Sequence, residues 1–112
     1  MDLREVSDGI WVSSMIKVED LDELYDNGYR SIICNLPDGE LSDQSKYSEI
    51  EEKALSLGME PYYIPVTGAG ITESMIDDAA VFLEMHARKG KVVAYCRSGG
   101  RANTILQMTG MI

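Results

Sequence analysis

"KVVAYCRSGGRAN", residues 91–103, decides how the rest of the chain is read. "KVVAY" is a short, continuously apolar run, the pattern of a central parallel strand covered on both faces. "CRSGGR" follows directly, and "ANTILQMTGMI" then returns to helical spacing. A strand, a glycine-rich turn and a helix in succession put residues 96–101 at the carboxyl end of a central strand, where open α/β sheets bind ligands. Gly99 and Gly100 let the backbone adopt positive φ and turn its N–H groups inward as an anion nest. The helix beginning near Arg101 adds its N-terminal partial positive charge. Arg101 itself can hold two oxygens of a tetrahedral anion at once. That combined field should favour the thiolate of Cys96, the reactive form of a cysteine. A buried thiol ahead of a plain Gly-Gly turn is the alternative for any one of these residues. Their combination at this spacing favours catalysis or anion binding.

Outward from that loop, the chain alternates strands and helices. "LREVSDGIWVSS" (3–14) reads as two short strands joined at Asp8 and Gly9, and "VEDLDELYDNGY" (18–29) as a helix closed by Asn27 and Gly28. "RSIICNLPDGE" (30–40) is a buried strand over 31–35 ended by the Pro37-Asp38-Gly39 turn. "SDQSKYSEIEEKALSLGM" (42–59) predicts a helix, "EPYYIPV" (60–66) the next strand, and "TGAGI" (67–71) a flexible loop. Thr72 is a candidate N-cap for the longest helix, which Arg88, Lys89 and Gly90 close. The plan is α/β, with a central, mostly parallel sheet of four to five strands flanked by helices.

The chain has 112 residues, enough for one domain over 1–112 with a real core. Its net charge of −9 and the lack of a basic stripe argue against nucleic-acid binding. Apolar runs reach only strand length, so no membrane span is expected. No secretory leader opens the chain, and two distant cysteines, Cys34 and Cys96, make neither a disulfide scaffold nor a metal cluster. A cytoplasmic location fits, with no cofactor and no metal. An acidic protein needs a local positive site to attract an anion, and Arg97 and Arg101 are the place for one.

Residues 35–40 ("NLPDGE"), 63–72 ("YIPVTGAGIT") and 92–102 ("VVAYCRSGGRA") resemble the phosphatase-like domain of the beta-lactamase hydrolase-like proteins. Tyr63 to Thr104 also resembles, more distantly, the dual-specificity and tyrosine phosphatases. The resemblance implies a tyrosine-phosphatase-like fold and a hydrolase in which Cys96 is the nucleophile and Arg101 the anion clamp. Arg97, Ser98, Gly99 and Gly100 then form the substrate-binding cradle. The reaction so implied is hydrolysis of a phosphomonoester, phosphotyrosine among the candidates, through a Cys96 thiophosphate.

Four departures from the resemblance bear on that reaction. Only four residues separate Cys96 from Arg101, where phosphatases of this kind usually have five; rhodaneses, which carry a persulfide, also use a shorter loop. Thr67, Gly68, Ala69 and Gly70 occupy the loop from which such phosphatases supply an aspartic acid. Ala102 stands where Ser or Thr usually follows the Arg, and Leu36 where a typical member has Arg. Asp38 is the substitute acid proposed here, beside Glu40, because their strand should end on the same crevice; a plain turn residue in "PDG" is the other reading of Asp38. A rhodanese-like sulfurtransferase forming a Cys96 persulfide is the second function, and a non-catalytic anion or phosphopeptide binding module the third. The expected partner is a small anionic or phosphorylated substrate.

Smaller expectations concern other residues. Cys34 reads as a small core hydrophobe, with a reversible Cys34–Cys96 disulfide as the bolder alternative. His86 suits the end of its helix rather than a metal site, and Trp11, Tyr62 and Tyr63 read as core aromatics. The chain stops after about three turns of the last helix. That leaves an apolar face for a second copy or a fusion partner, or marks a piece of something longer.

Overall fold

The structure is a computed structural model that describes residues 1–112. Its elements are β1 (Arg4–Ser7), β2 (Ile10–Ser13), a 3-10 turn (Val18–Asp20) running into α1 (Leu21–Asp26), β3 (Tyr29–Cys34), α2 (Tyr47–Leu57), β4 (Glu60–Tyr63), α3 (Glu73–His86), β5 (Lys91–Tyr95) and α4 (Gly100–Met108). They form one five-stranded sheet in the order β1-β2-β5-β3-β4. β1 is antiparallel to β2 through the Asp8-Gly9 turn, and the other pairings are parallel. The all-apolar run 92–95 therefore sits where its composition requires, in the centre between β2 and β3.

Period-2 alternation splits the core into two halves, one on each face of the sheet. Ile33, Ala94 and Cys96 pack with Val66, Leu83, Ala102, Ile105 and Leu106 beneath α3 and α4. Ile32, Cys34, Val93 and Tyr95 pack with Leu21, Leu24, Ile50 and Ala54 beneath α1 and α2. Thr72 caps α3 as its sequence position implied, its Oγ1 accepting the Met75 N–H at 3.2 Å.

Several element boundaries differ from expectation: β3 runs over Tyr29–Cys34 where the sequence predicts 31–35, and α4 stops at Met108. Residues 42–46 are not helical; α2 begins at Tyr47, whose N–H is capped by the Asp38 carboxylate from nine residues upstream, at 2.8 Å. Ser45 is pulled the other way, its Oγ accepting the Val18 N–H at 3.0 Å. β4 proper ends at Tyr63, and "IPV" continues as extended chain held by Ile64 N–H to the Cys34 carbonyl and Val66 N–H to the Asn35 carbonyl. No helix is long and apolar enough to cross a membrane.

Candidate active site

The carboxyl ends of β2, β5 and β3 converge on residues 96–101. Cys96 leaves β5 fully buried, its N–H directed at the Ser13 carbonyl of β2 at 3.4 Å. The chain then doubles back over the sulfur: the Gly99 N–H points at Cys96 Sγ, 3.1 Å away. Gly99 does this at φ +94°, a conformation open to glycine and strained for other residues. A Cβ there would lie 3.1 Å from the flexible tip of Arg4 and 3.4 Å from the Ser13 carbonyl oxygen, so it is the backbone conformation that demands glycine. Ser98 Oγ braces the turn by accepting the Gly100 N–H at 3.3 Å. α4 starts at Gly100 and its first backbone bond is Asn103 N–H to Gly99 carbonyl, so the first-turn N–H groups face the loop rather than a helical acceptor.

Arg101 lies across this loop and is held firmly. Its Nη1 donates to Glu40 Oε1 at 2.8 Å and to the Val66 carbonyl at 2.6 Å, and Nη2 donates to Glu40 Oε2. These bonds use three of the fork's five N–H groups and leave two without a carboxylate or carbonyl partner. The Glu40 carboxylate, first, and then the nearby Cys96 sulfur push the Arg101 pKa up against the opposing effect of burial. Glu40 is in turn held below the usual carboxylate range, mainly by its hydrogen bonds to Arg101, so it stays ionised. Arg97 is exposed on the rim; its carbonyl accepts the Met15 N–H at 3.3 Å and its charge adds a little to the lowering of Glu40.

Asp38 stands apart from this arrangement. Its carboxylate accepts the Tyr47 N–H, and its own N–H donates to the Tyr63 hydroxyl at 3.0 Å. Tyr63 stacks on Tyr47 with centroids 4.5 Å apart, so Asp38 anchors its loop to α2 and β4. Of the two acids in "PDGE", the structure brings Glu40 to the Cys96–Arg101 pair and gives Asp38 a helix to cap. Glu40 entered the sequence reading only as Asp38's neighbour, and Arg4 beside Gly99 was missed. The Arg101–Glu40 pair spans 61 positions and Arg4 lies still farther along the chain from Gly99, so neither leaves a local signal.

Cys34 sits on the other face of the sheet from Cys96. It is paired in register with Tyr95 and donates its S–H to the Leu36 carbonyl at 3.3 Å. Burial, above all, raises its pKa to about 11. Both cysteines are free, and their opposite orientations argue against the disulfide raised as an alternative. His86 is buried against Phe82 and takes Lys89 Nζ at 3.4 Å from Nδ1. No three His, Cys, Asp or Glu side chains converge as a metal site.

A parallel sheet with a cysteine loop feeding a helix N-terminus, and an arginine folded back over that loop, defines the tyrosine-phosphatase-like class. Solved structures bear this out: a candidate phosphatase from Neisseria meningitidis is 25% identical and superposes with a TM-score of 0.77 over 95% of this chain and 74% of its own. Tk-PTP in its active form (19% identical, TM-score 0.74, 99% and 76% covered) shares the fold. So does Pseudomonas aeruginosa TpbA in complex with phosphotyrosine (12%, 0.69, 96% and 60%). Residues 2–111 match the family described as "Beta-lactamase hydrolase-like protein, phosphatase-like domain", and the chain belongs to that family. The beta-lactamase hydrolase-like protein of Agrobacterium fabrum is 32% identical over 100 residues, which cover 89% of this chain and 23% of that protein. Its counterpart in Xylella fastidiosa strain Temecula1 is 28% identical over 112 residues, 26% of its length. The chain thus spans about a quarter of the curated relatives it matches.

Proposed function

We propose that this domain is a cysteine-dependent phosphatase in which Cys96 is the nucleophile and Arg101 the anion clamp. The observation that carries the reading is Arg101 itself: Glu40 and the Val66 carbonyl fix its fork beside Cys96, and two N–H groups remain for substrate. The Cys96 thiolate forms an S–P bond as the P–O bond to the leaving group breaks. Arg101 and the N–H groups of Arg97 and Ser98 stabilise the charge that spreads over the equatorial oxygens, while the Gly99 N–H stays on the sulfur and the Gly100 N–H on Ser98 Oγ. Water then cleaves the thiophosphate, releasing inorganic phosphate and restoring the thiolate. Glu40, ionised and bound to Arg101, positions the clamp rather than donating a proton.

No evident acid protonates the leaving group: Asp38 caps α2, and Thr67 to Gly70 contain no carboxylate. That absence, with the four-residue spacing of Cys96 and Arg101, also favours a second reading, sulfur transfer. There the thiolate attacks the outer sulfur of a persulfide donor, the donor leaves as a thiolate, and Cys96 keeps the sulfur until an acceptor takes it. Turnover of p-nitrophenyl phosphate, whose leaving group needs no proton, lost in Cys96→Ser, is the result expected. Mass spectrometry finding one added sulfur on Cys96 after glutathione persulfide, without phosphatase turnover, would replace the first reading by the second. Phosphate binding that survives Cys96→Ser, with neither activity in the native protein, would leave an anion-binding module.

A further inference from the structure

A cleft of about 540 Å3 opens next to the anion clamp, between the 67–71 loop and the outer face of α4. Gly100 and Arg101 are part of its lining, so it adjoins the site just described. Val66, Ile71 and Met108 supply its apolar wall, and Thr67 and Thr104 its flanks. The Thr104 hydroxyl is already spent on the Gly100 carbonyl at 2.9 Å. The only formal charge lining the cleft is the Arg101 guanidinium, in a chain whose net charge is −9. The cleft holds no aromatic side chain on which a phenol ring could stack. Its walls are branched aliphatic groups and a flexible methionine, 51% exposed, which suit an unbranched hydrocarbon body with one anionic end.

The leaving group is constrained separately. With Asp38 and Glu40 both committed and no carboxylate in residues 67–70, the bond to phosphorus must break without a proton from the enzyme. A simple alkoxide leaves too poorly for that. A phosphoanhydride leaves well but brings further negative charges, for which the cleft offers a single cation. A carboxylate leaves as a stable monoanion.

From these two constraints we infer that the substrate is an aliphatic acyl phosphate, its hydrocarbon chain lying between Ile71 and Met108. The inference rests on the phosphatase reading above. Cys96 forms the S–P bond, the P–O bond to the acyl oxygen breaks, and the fatty carboxylate departs with the electron pair and no proton. Water cleaves the S–P bond as before.

The test is kcat/KM of the intact domain for hexanoyl phosphate, acetyl phosphate, hexyl phosphate and p-nitrophenyl phosphate, after subtraction of spontaneous hydrolysis. Hexanoyl phosphate should exceed acetyl phosphate by about tenfold or more, as burial of several methylenes requires. It should exceed hexyl phosphate by about a hundredfold or more, the scale of a missing general acid. The double substitution Ile71→Thr with Met108→Gln, neutral and near the surface, should bring the hexanoyl-to-acetyl ratio to about threefold or less. Equal rates for hexanoyl and acetyl phosphate, or a ratio untouched by the double substitution, would remove the cleft from the reaction. Hexyl phosphate turned over as well as hexanoyl phosphate would reveal a hidden acid and overturn the acyl leaving group. Turnover of p-nitrophenyl phosphate alone would sink this inference and keep the phosphatase; turnover of none would sink both.

Discussion

Cys34 ends β3 and Cys96 follows the adjacent parallel strand β5; they are 3% and 0% exposed and lie close to the same end of the sheet. Their surroundings differ in kind. Cys34 faces the α1–α2 half of the core, where its partners are the Leu36 carbonyl and the Tyr95 hydroxyl, and burial drives its pKa up to about 11. Cys96 faces the α3–α4 half, where it meets the Gly99 N–H and the Arg101 guanidinium at the start of a helix. One thiol is kept protonated by burial; the other lies beside an N–H donor and a guanidinium. Burial alone therefore says nothing about reactivity; what the buried sulfur finds around it decides.

The largest test of that contrast is to remove each sulfur. Cys96→Ser should lower phosphatase turnover by on the order of 10⁴-fold or more with the melting temperature little changed. Cys34→Ala should do the reverse, costing about 1–2 kcal/mol of stability in denaturant melts while turnover stays within a few-fold. Arginines sharpen the picture next. Arg101→Ala should reduce kcat/KM by about 10²–10³-fold, whereas Arg97→Ala, exposed and screened, should cost about threefold or less. Equal losses would mean that the rim arginine shares the clamp.

The two acids of "PDGE" should separate in the same way. Glu40→Gln should lower kcat/KM by about tenfold, because charge-assisted bonds fixing Arg101 become neutral ones. Asp38→Asn should leave kcat/KM nearly unchanged and cost about 0.5–1 kcal/mol through a weaker cap on α2. Glu40 also carries a pH signature. Its pKa is lowered in the folded state, so its stabilising contribution is present above its ordinary value of 4.5 and is lost as pH falls through the lower folded value. Glu40→Gln should flatten that acid limb of the stability curve.

The smallest effect concerns alkali. Cys34 ionises in the unfolded chain near 9.0 and in the folded protein near about 11, so its contribution is complete below pH 9.0 and fades as pH rises towards 11. Buried Tyr95 and half-buried Tyr47, both shifted upward mainly by desolvation, continue the same trend. Thermal melts from pH 8 to 11 should show a shallower decline in Cys34→Ala; an unchanged slope would assign the alkaline limb to the tyrosines alone.

Local chemistry made much of this molecule legible. The Asp8-Gly9 turn, the Asn27-Gly28 stop, the Thr72 cap and the apolar run 92–95 each act within a few residues, and each marks its element where the structure has it. The turn after Cys96 was legible for the same reason, with Gly99 in the left-handed region as expected, although Gly100 is already the first residue of α4 and not at positive φ. What could not be read depends on partners far along the chain. "SDQSK" is as plausible in a helix as in a loop until Asp38 and Val18 claim Tyr47 and Ser45. Asp38 and Glu40 are alike in composition, and only the path of the loop sends one to α2 and the other to Arg101. The faces on which Cys34 and Cys96 lie follow from strand register, which a single sequence does not state.

The central place of β5 also governs how the protein comes into being. On the ribosome the chain up to Gly90 can form the β1–β2 hairpin and the β3–β4 pair, yet the strand that joins them is still to be made. Until Lys91 to Tyr95 emerge, β2 and β3 each present an unpaired apolar edge, a state prone to wrong associations and in need of protection by chaperones. The residues that complete the sheet are followed at once by Cys96, so the candidate site is made by the same stretch of chain that closes the fold.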